Sequence, residues 1–210
     1  MIAVVDYGMG NLRSVEQALR HVSPDANVVV TDDASVIANA ARVVFPGQGA
    51  MPDCMRELDS RNLREAVLQA ARSKPFLGIC IGLQMLFEHS AEGDVAGLGL
   101  LGGKVSRFAH GLQDAQGNRL KVPHMGWNQV HQTHVEHALW NGIAQDARFY
   151  YVHSYFVQPD DASLIQATSD YPQPFVCAVA QENLFAVQFH PEKSHTAGLQ
   201  LLHNFTKWNP

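Results

Sequence analysis

The first ninety residues alternate between two hydrophobic periods. Ile2 to Val5 is a short apolar run, followed by a Tyr7-Gly8-Met9-Gly10 turn. From Asn11 to Val22, Leu12, Val15, Leu19 and Val22 recur at helical spacing, with Asn11 or Ser14 placed to cap. Val28-Val29-Val30 is β-branched throughout and leads into Thr31-Asp32-Asp33, an acidic helix start. Arg42 to Phe45 predicts a third strand, stopped by Pro46-Gly47-Gln48-Gly49. Helical pattern follows from about Asp53 to Arg72, then a strand over Pro75 to Ile79 and a helix over Ile81 to Glu88. Short, fully apolar strands alternating with amphipathic helices predict an α/β fold, with a mostly parallel central sheet covered by helices.

Beyond Gly99 the strand-like pieces follow one another at short range. They are Lys104 to Phe108, Asn128 to His131, Phe149 to Val152, Ser163 to Thr168, Val176 to Ala180 and Leu184 to Phe189. Gly117-Asn118 and Glu182-Asn183 have hairpin-turn chemistry, the latter between two alternating runs. A helix over about Thr196 to Trp208 closes the pattern. With no repeat, low-complexity stretch or linker, the expected organisation is one domain over 1–210 with an antiparallel extension.

Composition narrows the function classes. At 46 % hydrophobic the 210-residue chain can bury a sizeable core. No apolar run reaches the roughly 18 residues of a membrane span. A net charge of −5 without a Lys/Arg run argues against nucleic acid and a membrane surface as partners. Cys54, Cys80 and Cys177 are odd in number and lack CxxC spacing, which argues against a disulfide framework or structural zinc. An N-terminus without a basic, leader-like region points to the cytoplasm and reduced thiols. Only 17 % of residues are charged, against roughly 25 % in ordinary domains. The deficit is expected to follow from a sheet covered on both faces or from a surface that meets a partner.

The sharpest chemical signal is Gly78-Ile79-Cys80-Ile81-Gly82, between a buried strand and a helix. A nucleophile on such a turn is held in a strained conformation, projecting from the sheet, and glycines two residues to each side remove steric obstruction. The helix beginning at Ile81 is expected to set its positive end beside the sulfur. The plainer alternative is an inert core thiol. A base and an orienter are available in Gln188-Phe189-His190-Pro191-Glu192, where His190 could accept the thiol proton and Glu192 fix the imidazole. Taken alone, His190-Pro191-Glu192 also fits an ordinary loop. Gly47-Gln48-Gly49, at the carboxyl end of the third strand, could aim amides at an oxyanion together with the Ile81 N–H. An ordinary strand-to-helix turn is the competing reading.

Together these residues resemble the class I (triad) glutamine amidotransferases, in the order Cys, His, Glu. Asp6 to Leu12, Pro123-His124-Met125-Gly126-Trp127-Asn128 and Phe149 to Tyr155 are similar to segments of one branch, the glutaminase subunits of imidazole glycerol phosphate synthases. The resemblance implies the flavodoxin-like fold of that family and a thioester mechanism on Cys80, with His190 as acid/base and Glu192 as its orienter. It implies an oxyanion segment of Gly47, Gln48 and Gly49, and glutamine contacts from Gly49, Gln84, His153, Ser154 and Tyr155. It further implies no cofactor and a heterodimer with a (β/α)8-barrel cyclase that takes the ammonia in histidine biosynthesis. Asn11, Trp127, Tyr150 and Lys193 would face that partner. Gln48 departs from the family's usual Val, which bears on how the oxyanion peptide is held. A different synthase partner, a stand-alone γ-glutamyl hydrolase and a silent binding module are the rival readings.

Two further patterns carry less. His131, His134 and His137 recur every third residue, but on a strand leading into a turn that spacing scatters them, so no metal site is expected. Tyr7-Gly8-Met9-Gly10 lacks the third glycine of a dinucleotide fingerprint. Cys54 and Cys177 read as packing residues, and Trp140 and Trp208 as core or anchoring aromatics.

Overall fold

The computed structural model describes residues 1–210. In chain order its first half runs β1 (Ile2–Val5), α1 (Leu12–Val22), β2 (Val28–Thr31), α2 (Ala34–Asn39), β3 (Arg42–Gly47), α3 (Met51–Ser60), α4 (Arg64–Ser73), β4 (Phe76–Cys80) and α5 (Ile81–Gln84). Strands β5 (Phe87–Ser90), β6 (Val95–Ala96), β7 (Leu101–Arg107), β8 (His124–Gln129) and β9 (His131–Gln132) follow. The remainder is β10 (Arg148–His153), β11 (Tyr155–Pro159), β12 (Ile165–Asp170), β13 (Pro174–Gln181), β14 (Leu184–Val187) and α6 (His195–Lys207).

Strand order β2-β1-β3-β4-β14 is parallel throughout, and β13, β11 and β7 continue the sheet antiparallel. That is the α/β architecture with an antiparallel extension that the hydrophobic periods predict. β1, β4 and β14 are buried at every position, as strands covered on both faces must be. The buried apolar residues form one contiguous cluster of 56.

Several expected boundaries move. The helix expected over Asp53 to Arg72 is two helices, broken at Arg61–Leu63, where Asn62 adopts φ +57°. Asn tolerates that conformation, and a two-point Arg64–Asp59 bridge at 2.7 and 2.9 Å spans the corner. The helix expected over Ile81 to Glu88 ends at Gln84, and Phe87–Ser90 is a strand instead. Leu83, Met85, Leu86 and Phe87 are all fully buried. A continuous apolar run of that length does not distinguish helix from strand, and pairing with Leu98 and Leu101 decides it. The expected strand at Asn128 to His131 begins earlier, at His124, and pairs with β10 in a separate two-stranded sheet. Gly117-Asn118 closes a loop with a single bridge, Gln113 to Arg119, rather than a hairpin. Glu182-Asn183 is the β13–β14 turn, with Glu182 at φ +49°. Gly47 belongs to β3, one residue short of where the Gly-rich turn opens.

Candidate active site

Parallel pairing explains how residues far apart in sequence meet. Gly47 of β3 stands opposite Cys80 of β4, and Ile79 opposite Val187 of β14. The carboxyl ends of three neighbouring strands therefore deliver Gly47-Gln48-Gly49, Cys80 and His190 to one edge, where open α/β sheets bind ligands. A cavity of about 320 Å³ lies there, lined by Gln48, Gly49, Cys80, Ile81, Gln84, Glu92, Pro123, Val152, His153, Ser154, Tyr155 and His190.

Cys80 sits at φ +57°, ψ −109°, a backbone conformation costing about 1–3 kcal/mol for a non-glycine residue. The surrounding glycines show what maintains it. A Cβ on Gly82 would lie 1.9 Å from the Phe45 carbonyl oxygen of β3, and one on Gly78 would lie 2.9 Å from Ala186 Cβ of β14. The glycines thus let the elbow press against both neighbouring strands, more than they clear a path for substrate. The short α5 corrects the expected dipole argument: one turn of helix has little macrodipole. The groups facing the sulfur are instead His190 and the Gln188 amide, whose Nε2 is 3.7 Å from Cys80 Sγ.

His190 Nδ1 and Glu192 Oε1 are 2.9 Å apart, and their side chains are 4 % and 1 % exposed. The carboxylate therefore receives the Nδ1 proton, and Nε2 is left free toward the cavity without a hydrogen-bond partner. Burial pulls the imidazole pKa down, but negative charge at Cys80 and Glu192 more than offsets it, raising His190 to about 10. The turn is fixed from behind. Ser194 Oγ donates to the His190 carbonyl at 2.6 Å and accepts from the Tyr150 amide at 2.9 Å. The His190 amide in turn donates to the Tyr150 carbonyl at 2.9 Å. Gly198 lets α6 close on the turn, since a Cβ there would lie 1.9 Å from the Pro191 carbonyl oxygen.

Of the expected oxyanion residues, Gln48, Gly49 and Ile81 line the cavity, whereas Gly47 is packed behind them against Tyr7, Ile81 and Gly82. The Gln48 and Gly49 amides donate to no group of the chain. The Gln48 carbonyl is turned the other way, 3.7 Å from Cys54 Sγ. Cys54 is thus more than packing: burial pushes its thiol up to about 11, leaving a protonated donor under the loop. Cys177, also pushed up to about 11 by burial, lies in the core.

The expected glutamine contacts Gly49, Gln84, His153, Ser154 and Tyr155 all reach the cavity wall. Both His153 ring nitrogens are engaged inside the protein, so its ring serves as wall. Gln84 Oε1 is buried without a partner. Sequence reasoning missed two further groups. Glu92, the one acidic side chain in the lining, is held by its Oε2 on the Met51 amide at 2.9 Å. Gln188 is legible in hindsight, because strand alternation carried past β14 puts Ala186, Gln188 and His190 on one side.

Trp127 and Tyr150 are cross-strand partners with ring centroids 6.0 Å apart, and Trp127 stacks on His195 at 5.0 Å. Lys193 ends the Pro191–Lys193 turn beside them, and Asn11 precedes α1, which packs on that turn. Asn11 makes no side-chain cap bond, which leaves its carboxamide uncommitted to α1. The three spaced histidines go separate ways: His131 to Asp146 and Asp170, His134 to Glu136, and His137 against Phe185 and Trp208. Trp140 is buried against Phe185.

The family model described as glutamine amidotransferase class-I matches residues 3–208. The chain is 67 % identical over 210 residues to the imidazole glycerol phosphate synthase subunit HisH of Thiobacillus denitrificans, covering 100 % of this chain and 92 % of that protein. It is 64 % identical to the same subunit of Nitrosospira multiformis, covering 100 % and 98 %. A solved glutamine amidotransferase shares the fold at a TM-score of 0.74 and 16 % identity, covering 99 % and 98 %. With the sheet order, the elbow and the buried dyad in place, these similarities agree: the chain belongs to the class-I glutamine amidotransferase family, in the branch of the HisH subunits.

Proposed function

We infer that this chain is the glutaminase subunit of an imidazole glycerol phosphate synthase. It hydrolyses glutamine to glutamate and ammonia and passes the ammonia to a separate (β/α)8-barrel cyclase in histidine biosynthesis. The observation that carries the reading is Cys80 on its strained elbow, in one cavity with the buried His190–Glu192 dyad.

In this reading the Cys80 thiol proton passes to His190 Nε2 as Sγ attacks the glutamine side-chain carbonyl. The tetrahedral oxyanion is met by the unbonded Gln48 and Gly49 amides and the Ile81 N–H. His190 gives its Nε2 proton to the leaving nitrogen, ammonia departs, and a γ-glutamyl thioester remains. His190 then takes a proton from water as that water attacks the thioester; the C–S bond breaks, glutamate leaves, and His190 returns the proton to the Cys80 sulfur. Glu192 holds the imidazole by its Nδ1–H throughout. Glu92 supplies the negative partner for the substrate ammonium, and the unpartnered Gln84 Oε1 accepts from it.

The partner reading is supported by the β8–β10 sheet. Arg148 is the one Asp, Glu, Lys or Arg residue on those two strands, yet Met125 and Trp127 are 62 % and 37 % exposed. Exposed large apolar side chains on a charge-poor face suit a docking surface, with Tyr150, Lys193 and Asn11 at its margin. The test is Cys80→Ala assayed with the cyclase. Glutamine-dependent synthesis should vanish while synthesis from added ammonia persists, because the cyclase carries its own site. Loss of both would refute the division of labour.

A further inference from the structure

The hydrogen bonds behind the cavity form a chain whose direction is fixed. Asn128 Oδ1 accepts from the Gln129 amide at 2.9 Å, so its Nδ2 is the donor. One of its hydrogens goes to the Asp170 carbonyl at 2.8 Å and the other to His124 Nε2 at 3.3 Å. His124 must then carry its proton on Nδ1, and it donates that proton to His153 Nε2 at 2.9 Å. His153 Nδ1 in turn donates to the Tyr155 carbonyl at 2.7 Å. The same carbonyl receives Gln84 Nε2 at 3.1 Å, whose second hydrogen goes to Gln188 Oε1 at 2.9 Å. Gln188 Nε2 ends the chain at Cys80 Sγ.

Reversing His124 would leave His153 Nε2 without its donor or turn His153 Nδ1 into an acceptor facing the Tyr155 carbonyl, so the two histidines constrain each other. The arrangement also demands that both imidazoles be neutral. The rings around them are Tyr151, Tyr171, Phe108 and Phe175, and neither histidine is bonded to a carboxylate. Burial pulls His124 down to about 4 and His153 to about 3, with the charge at His190 acting on His153 in the same sense.

We propose that His124 is a positioning residue for the glutaminase reaction: its Nδ1 proton orients His153 and the Tyr155 carbonyl, and through Gln84 and Gln188 sets the surroundings of the Cys80 sulfur. His124 itself lines no part of the cavity; it acts from β8, next to the exposed Met125. The consequence for Cys80 rests on the glutaminase reading above, whereas the relay itself does not.

The two parts are tested separately. Nitrogen NMR of the full chain with labelled histidine should show His124 and His153 as neutral Nδ1–H tautomers without titration between about pH 5.5 and 8. An Nε2–H tautomer at either residue, or a midpoint in that range, overturns the relay. Kinetics in the complex with the cyclase then compare two amides. His124→Asn places its N–H near the native Nδ1, whereas His124→Gln places it near Nε2 while preserving more volume. The asparagine variant should keep at least about tenfold more kcat/KM for glutamine. Packing alone predicts the opposite order, so equal activities or a better glutamine variant would overturn the positioning role. A wild-type complex without glutaminase activity would instead refute the functional reading and leave the NMR result standing.

Discussion

Gly82→Ala is the most direct test of how the elbow is built. The added Cβ would sit 1.9 Å from the Phe45 carbonyl oxygen, with the carbonyl carbon at 3.0 Å. An ordinary carbon–oxygen contact is about 3.3 Å, so the elbow and β3 must part by about 1.4 Å. Neither side has room to yield, because Phe45 and its neighbours are fully buried and paired to β4. Overpacking of this kind costs about 1–3 kcal/mol, or a fall in Tm of about 2–12 °C for a chain of this size. The chemical cost should be larger. Two residues beyond Phe45 lies Gly47, and the displacement separates the oxyanion amides from Cys80. A misplacement of about 1 Å can cost about a hundredfold. The expected result is a drop of that order in kcat/KM for glutamine, measured with the cyclase, while ammonia-dependent synthesis stays within about twofold. Gly102→Ala is the control, since its Cβ meets nothing closer than 3.7 Å. A folded Gly82→Ala enzyme within about threefold of native glutaminase activity would refute the argument that the glycine exists to close β3 on the elbow.

Glu192→Gln should lower glutaminase kcat by at least about a hundredfold with the fold retained, because the imidazole loses its charged orienter; near-native turnover would remove Glu192 from the mechanism. Stability should peak near neutrality. His124 and His153 have lowered folded pKa values, so the unfolded chain binds more protons between about pH 4 and 6.5, and stability falls with acidification there by roughly 1 kcal/mol per pH unit for each. His190 has the opposite sign. Its folded pKa is raised to about 10, so its contribution is complete below about pH 6.5 and is lost as pH rises through 10. Denaturant midpoints across pH check both limbs, and His190→Gln should flatten the alkaline one. Trp127→Ala, at a half-exposed position, should leave Tm within a few degrees but raise the glutamine hydrolysed per product formed; an unchanged ratio would remove it from ammonia coupling.

The fold and the three central residues were legible because their signals are local. A glycine two residues to each side of a cysteine, and a histidine two residues before a glutamate, are readable without knowing what packs where. The boundaries that moved depend on distant partners. Asn62, at positive φ, breaks a helix whose amphipathic pattern runs on through Leu63, and the Arg64–Asp59 bridge spans the corner. Phe87–Ser90 is a strand because the chain around Leu98 and Leu101 pairs with it, which no window of its own sequence reveals. The reason for the elbow glycines was likewise hidden. Their spacing announces a tight turn, but the atoms they avoid, the Phe45 oxygen and Ala186 Cβ, belong to other strands.

The polar residues behind the cavity were hidden for a different reason. His124, Gln84 and Gln188 are nearly or fully buried, and a sequence pattern assigns buried positions to apolar side chains. Burying an imidazole or a carboxamide costs about 1–3 kcal/mol unless its hydrogen bonds are made. A leucine at 124 would avoid that cost for itself but leave the buried His153 Nε2, whose donor is His124 Nδ1, without a partner. The histidine has both ring nitrogens bonded and satisfies His153 as well as itself, at the head of a chain ending on the Cys80 sulfur. The charge shortage fits the strands buried at every position, β1, β4 and β14, and the charge-poor face of β8 and β10. The cavity wall holds the uncharged Gln48, Gln84 and His153 beside His190, with Glu92 as its single acidic side chain. A cavity lined in this way suits the proposed chemistry, in which a proton and an oxyanion are directed by fixed geometry and not by mobile, solvated charges.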